Sequence, residues 1–402
     1  ESMYPRDLVY LDVSRNHFNG TIPDKLYSLS LLRIAELDNN LFSGTIAEKV
    51  SQLAVLTRLN FASNRLTGSI PSFEGPVFPQ FDFIHLDHNK LTGTLPAWIT
   101  GQLTRQEVTI SHNWINGTIP TPLASAWDVR EIRVRKLDLS FNFLSGPLPS
   151  WMGDLTTLQS LNVEGNALTG TLYGGANLWP ESETFNVANN RFSGSIPTDL
   201  PTQLTQVNVR GNRLTGGIPT ELCGYPNLEF LMMDSNALGG SVTPLLSCAK
   251  SFKTLSAEGC LLTGTIPSDL QATSLELLHL GNNEIYGSIP SEVGNHRLLK
   301  RLSLHSNRLS GTIPTSMGNL QDLVTFRLAN NRLSGTLPSE LGHLSLLQEI
   351  TLQGNAALGG AVPPALCSVF GNNIPRDVVG CKVECACCSD PNNVCGGSLS
   401  MR

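Results

Sequence analysis

A short-repeat solenoid, α/β in type and mostly parallel β, is the architecture expected of this 402-residue chain, on three observations. Asparagine recurs at a nearly fixed interval, at Asn16, Asn40, Asn64, Asn89, Asn113, Asn142, Asn166, Asn190, Asn212, Asn236, Asn283, Asn307, Asn331 and Asn355, with Cys260 in the one gap. Apolar residues alternate ahead of each position, and Gly-x-Ile-Pro or a close variant follows most of them. Most intervals are 24 residues, a period that fits one stacked unit and no ordinary globular domain.

Each part of the unit has a physical reason. Leu11 with Val13, Leu59 with Phe61 and Leu302 with Leu304 are separated by one residue, so both members of a pair point to the core side of a strand. Stacking at about 4.8 Å gives a parallel sheet roughly 70 Å long over about fifteen units. At the strand end the chain turns inward, where the Asn amide satisfies backbone groups that water cannot reach; losing one such amide costs about 1–3 kcal/mol. Cys260 fits the slot but bonds weakly, so its unit is expected to be locally softer.

The segments LVYLDVSRNHFNGTIP from Leu8, LKRLSLHSNRLSGTIP from Leu299 and LVTFRLANNRLSGTLP from Leu323 share the template L-x-x-L-x-L-x-x-N-x-L-x-G-x-I-P. This resembles the plant-type extracellular leucine-rich repeat, as in the ectodomains of receptor-like kinases and in polygalacturonase-inhibiting proteins. The resemblance runs from about residue 8 to 366. It implies a right-handed leucine-rich-repeat superhelix with a concave parallel sheet: a solenoid of about fifteen repeats over 1–366, then a cysteine-rich cap and tail over 367–402.

Composition narrows the function classes. Most of the 36 glycines and 24 prolines belong to the recurring turn, so they punctuate the repeat and do not signal disorder. A net charge of −6 leaves no basic stripe of the kind nucleic acid requires. Apolar runs fall short of the ~20 residues that span a bilayer, and the chain opens at Glu1 without a signal peptide; the expectation is a processed or trimmed soluble ectodomain.

Six of nine cysteines, Cys367, Cys381, Cys385, Cys387, Cys388 and Cys395, crowd the end, which suits a disulfide-stapled cap over the last repeat. Zinc is the rival, disfavoured because paired C-x-x-C knuckles are absent. This end is also similar to the cysteine-dense ends of leucine-rich-repeat proteins from diatoms and related algae. Cys223 and Cys248 sit 11 and 12 residues after successive ladder asparagines, side by side, as a disulfide or as two buried thiols. Asn19 and Asn116 head Asn-Gly-Thr sequons on the turn, so secretion with glycosylation is expected.

Binding is expected on the outward positions of the sheet, ahead of the ladder asparagines. His85, His88 and His112 gather in neighbouring units; their spacing admits a divalent metal, but none is assigned. Asn162, Asn186 and Asn208 recur in register and could meet a glycan or bond to one another as a ladder. Arg210, Phe230 and Met232 complete the ligand-binding candidates, Phe230 and Met232 as a local apolar anchor. The long interval before Asn142 brings Arg130, Arg133, Arg135 and Lys136 into a basic concentration, and Trp179 is exposed or tucked under a loop. No nucleophile elbow, phosphate loop, Ser/His/Asp set or buried carboxylate pair is evident, so a non-enzymatic protein without cofactor is expected.

A second surface is regular as well. Ser43-Gly44-Thr45, Thr67-Gly68-Ser69, Thr92-Gly93-Thr94, Ser310-Gly311-Thr312 and Ser334-Gly335-Thr336 place hydroxyls on both sides of the turn glycine, as potential twin ladders. Three readings follow: an extracellular module that binds a protein or glycan on its concave face, a self-assembling structural or adhesive surface component, and an ice-binding protein. The first is preferred.

Overall fold

The computed structural model describes residues 7–72, 81–101, 107–121, 134–174, 179–248, 250–369 and 383–384. The chain forms two compact units, Glu1–Ser193 with Asp199–Leu204, and Gly194–Thr198 with Thr205–Arg402. In the first, three-residue strands stack in chain order: Tyr10–Asp12, Ile34–Glu36, Arg58–Asn60, Phe83–His85, Glu107–Thr109, Lys136–Asp138, Ser160–Asn162 and Thr184–Asn186. The second repeats the pattern with Gln206–Asn208, Phe230–Met232, Thr254–Ser256, Leu277–His279, Arg301–Ser303, Thr325–Arg327 and Glu349–Thr351. Pairing is parallel and in register, as in Tyr10 with Ile34 and Asp12 with Glu36. The middle residue of nearly every strand is buried, among them Ala35, Leu59, Ile84, Leu161, Leu231, Leu302 and Phe326, as period two requires.

The ladder asparagines close the strand ends. Asn89 Nδ2 faces the carbonyls of Phe61, Leu86 and Asp87 at 2.9, 3.2 and 3.1 Å, while its Oδ1 accepts the Leu66 N–H at 2.9 Å. One side chain thereby joins its own repeat to the preceding one. At Cys260 the thiol reaches the Met233 carbonyl at 3.1 Å but offers no amide oxygen, so Leu238 lacks the acceptor that Leu66 and its equivalents find.

The turn segments are strands too. Asn19–Thr21, Leu41–Thr45, Arg65–Ser69 and Lys90–Thr92 form a second parallel sheet in the first unit, and Tyr286–Ser288, Arg308–Gly311, Arg332–Thr336, Ala357–Ala361 and Val383–Glu384 form one in the second. Gly44 shows why glycine recurs: its φ is +78°, and a Cβ there would lie 2.8 Å from the Thr21 methyl. The return path is a short 3-10 turn, such as Ser150–Asp154 behind Pro149 or Thr315–Asn319 behind Pro314, with proline pre-setting the entry φ.

Several expectations change. The hydroxyls ahead of the glycine do not form a free column: Ser43, Thr67, Ser310 and Ser334 donate to the carbonyls of Gly20, Gly44, Gly287 and Gly311 in the preceding repeats. On the main sheet, Thr109, Ser256 and Ser303 occupy outward positions yet are buried. Thr109 and Ser256 donate to Asp87 and Asp234, and Ser303 pairs with His305; these neighbours close over them. Trp179 is buried, with its indole N–H on the Met152 carbonyl. Arg130 and Arg133 lie outside the described residues, while Lys136 pairs with Glu107 at 2.6 Å.

Candidate functional site

In the first unit, the residue before each ladder asparagine adopts positive φ, for example 51° at His88, 54° at His112 and 53° at Phe141, which turns its side chain out at the strand end. Because equivalent residues stack, these rings form a file. His88 and His112 lie 4.1 Å apart between centroids with planes 22° apart, and Phe141 lies 4.5 Å beyond His112. Gly165 continues the column, and a Cβ on it would sit 2.7 Å from the Phe141 ring. All three rings are exposed. Face-to-face imidazoles direct their nitrogen lone pairs along parallel planes and not at a common point, so the stack is not arranged as a chelate. Desolvation first, and His88 second, hold His112 below the usual imidazole pKa. No group of three or more metal-ligating side chains gathers among the described residues.

His85 stands apart from that stack. It packs 6.4 Å from Phe83, whose ring carries the Arg58 guanidinium at 4.3 Å, and Glu107 is 4.0 Å from its Nε2. Asn162 and Asn186 are register partners, but their amides do not bond to each other as a ladder. Asn162 Oδ1 accepts the Glu164 N–H at 3.2 Å, and Asn186 Oδ1 accepts that of Ala188 at 3.2 Å. The Glu164 carboxylate takes up the amides of Asn186 and Asn189 at 2.8 and 2.9 Å. An amide two residues before a backbone N–H caps its own strand end in preference to a neighbour.

In the second unit, Asn208 is the register partner of Met232, with Phe230 beside Gln206 and Thr254. Arg210 is exposed and pairs with no described carboxylate. Ser303 Oγ lies 2.8 Å from His305 Nδ1, and His305 Nε2 lies 3.4 Å from Glu258, a chain with the outline of a hydrolytic triad. Ser303 is only 1% exposed, so its hydroxyl is closed to a substrate carbonyl. The chain locks His305 over Gly281, where a Cβ would meet its ring at 2.4 Å.

Cys223 and Cys248 are joined, with Cα atoms 5.6 Å apart, and Cys260 is free and buried. Cys367 is buried and disulfide-bonded. Cys381, Cys385, Cys387, Cys388 and Cys395 lie outside the described residues. Asn19 and Asn116 are exposed on turn strands. Two aromatic residues missed by the sequence reading are exposed just after ladder asparagines, Trp114 (51%) and Phe143 (63%). That reading followed the residues ahead of the ladder; inspecting the first residue after each asparagine would have found them.

Fold and surface together define a repeat solenoid with two parallel sheet faces and an exposed aromatic file. The leucine rich repeat family models match residues 297–356 and, for the single repeat, 7–29, 133–155, 203–225 and 274–296. Receptor-like protein 53 of Arabidopsis thaliana is 28% identical over 237 residues, covering 48% of this chain and 22% of the relative; for Receptor-like protein 35 of the same plant the values are 27%, 192 residues, 48% and 17%. The chain thus spans less than a quarter of the length of these relatives. Among solved structures, the Arabidopsis receptor kinase HAESA in complex with the peptide hormone IDA and the co-receptor SERK1 superposes with a TM-score of 0.79 at 28% identity, covering 97% of this chain and 63% of that one. A TDR receptor gives 0.77 at 27% identity, covering 95% and 72%. The chain is built of leucine-rich repeats and is similar to the plant-type extracellular class.

Proposed function

We propose that this chain is a non-enzymatic recognition module at the extracellular face of the cell or beyond, binding a protein or glycan partner through the outward face of its main sheet. The observation that carries the reading is the exposed His88–His112–Phe141 stack at the rim of that face. Stacking fixes the rings in advance, so a partner that covers them loses little side-chain entropy on their account. Asn162 lies on the same face, and in the second unit the exposed Arg210 accompanies the half-buried Phe230 and Met232. Similarity to a receptor ectodomain seen with a peptide hormone supports a protein ligand. No described helix is long and apolar enough to cross a membrane.

The test is capture of extracellular partners on the immobilised protein, compared with His112→Ala, Phe141→Ala and Met232→Ala. Loss of a captured partner in any of these, with retention in Thr336→Ala on the second sheet, is expected. The opposite pattern, with the Thr336 variant alone losing the partner, would falsify the assignment to the main sheet.

A further inference from the structure

Two exposed aromatic rings flank Asn116. The strand Asn116–Thr118 pairs in parallel with Phe143–Gly146, and the register sets Asn116 directly beside Phe143. The Phe143 N–H on the Ile115 carbonyl at 2.7 Å holds this pairing, and the Asn116 N–H ties the strand to the preceding repeat through the Gly93 carbonyl at 2.8 Å. Register partners in a parallel sheet lie about 4.8 Å apart with side chains on the same face. Trp114, two residues before Asn116, falls on that face of the extended segment as well. Phe143 at 63% and Trp114 at 51% are among the most exposed large apolar side chains described. The Asn116 amide is exposed and bonds to no described residue, and Thr118 turns its methyl toward Gly146, leaving its hydroxyl unbonded.

We infer that Asn116 carries an N-linked glycan whose first N-acetylglucosamine packs against Trp114 and Phe143. The Asn116 amide nitrogen forms a bond to the anomeric carbon of a lipid-diphosphate-linked oligosaccharide; the carbon–oxygen bond to the diphosphate breaks, and the nitrogen loses one proton. The sugar's C–H face then meets the electron-rich ring faces, which removes apolar surface from water on both partners. This accounts for two large rings held in solvent beside a sequon. Asn19 provides an internal comparison on the same protein: it heads the same Asn-Gly-Thr triplet, but its register partner is Leu41, and His17 stands two residues before it. Its glycan therefore has no such platform.

The inference rests on the extracellular reading, and the experiment separates the two. The protein is secreted from a eukaryotic host with isotope-labelled N-acetyl groups, its glycans are trimmed to a single N-acetylglucosamine, and glycopeptide mapping is combined with methyl NMR. The expected result is occupancy at both sites, with the Asn116 N-acetyl methyl moved upfield by ring currents and the Asn19 methyl unmoved. Phe143→Leu and Trp114→Leu should each reduce the upfield shift, and the double variant should abolish it. Both rings are solvent-exposed, so these variants should fold. Glycan on Asn19 but not on Asn116 would overturn this inference alone, and glycan on neither would also count against the extracellular reading. Occupancy without an upfield shift, or a shift that survives the double variant, would overturn the platform.

Discussion

Asn283 Oδ1 accepts the backbone N–H groups of both Cys260 and Leu262, at 3.0 and 2.9 Å. Other ladder asparagines, such as Asn331, accept one such N–H from the preceding repeat, here that of Leu309 at 3.0 Å. The doubled bond sits beside the one repeat whose own amide is replaced by a thiol. Asn283→Ala is therefore expected to destabilise more than Asn331→Ala. Each should cost about 1–3 kcal/mol, with the former toward the upper end. Denaturant melts of the two variants provide the comparison, and equal losses would remove the special role of Asn283.

Cys260 is the weak rung. Burial pushes its thiol up to about 11, so little thiolate exists near neutrality. A small alkylating reagent should leave Cys260 unmodified in the folded protein and label it once denatured. Cys260→Asn supplies an amide oxygen for the Leu238 N–H at nearly unchanged volume. A gain of about 1 kcal/mol is expected from chemical denaturation. A loss of stability would mean that the slot has adapted to sulfur.

Acid should weaken the fold through buried imidazoles. His296 is buried with Nδ1 3.0 Å from the Ala272 carbonyl, and desolvation holds its pKa below the ordinary 6.5. His279 is displaced the same way, again chiefly by desolvation. The unfolded chain then takes up protons at a higher pH than the folded one, so stability rises with pH across the interval between the two values. It is fully present above the unfolded pKa of about 6.5 and is lost as pH falls from there through the lowered folded pKa. The melting temperature should drop between about pH 7 and pH 5, and His296→Gln should flatten that slope. An unchanged slope in the variant would rule out His296 as a source.

The hydroxyl columns of the second sheet give a further comparison. Ser310 and Ser334 donate to glycine carbonyls one repeat back, at 3.4 and 3.3 Å, so Ser→Ala at both should lower stability by about 1 kcal/mol in total, given the long geometry. Thr312 and Thr336 lie on the far side of the glycine with exposed side chains, and Ala there should be near neutral. With one of the two columns bonded to the backbone, thermal hysteresis in ice-growth assays is expected to be absent. Measurable hysteresis, abolished by bulky residues at Thr312 and Thr336, would revive the ice-binding reading.

The turn glycine is the most sensitive backbone position. Gly44→Ala combines φ +78° with a contact of 2.8 Å to the Thr21 methyl, so a loss of roughly 1–3 kcal/mol is expected in a thermal or denaturant melt. Restoring space with Thr21→Ser in the same chain should recover only the steric part, because the positive φ persists. Full recovery would show that backbone strain contributes nothing there.

The repeat and its core were legible because they depend on local order. A residue's parity along a three-residue strand sets whether it points inward, and an amide every 24 residues marks the same corner of each turn, so Leu59, Leu302 and Asn89 could be placed without coordinates. Parity could not foretell that Thr109, Ser256 and Ser303 would be covered. Their partners Asp87 and Asp234 belong to the preceding repeat and His305 lies two residues on, and side-chain lean is not periodic. For the same reason the Asn162 and Asn186 amides turn to nearby backbone and to Glu164, where a mutual ladder was one of the two arrangements their register allowed. Stacking of His112 between His88 and Phe141, and the placing of Phe143 beside Asn116, depend on register between residues 24 to 29 positions apart. The solenoid follows from composition and period, since each unit buries its apolar side only against its neighbours. Which polar and aromatic groups stay free for a partner follows from cross-repeat packing, because a hydrogen bond or ring contact is made at angstrom range and the sequence records only spacing.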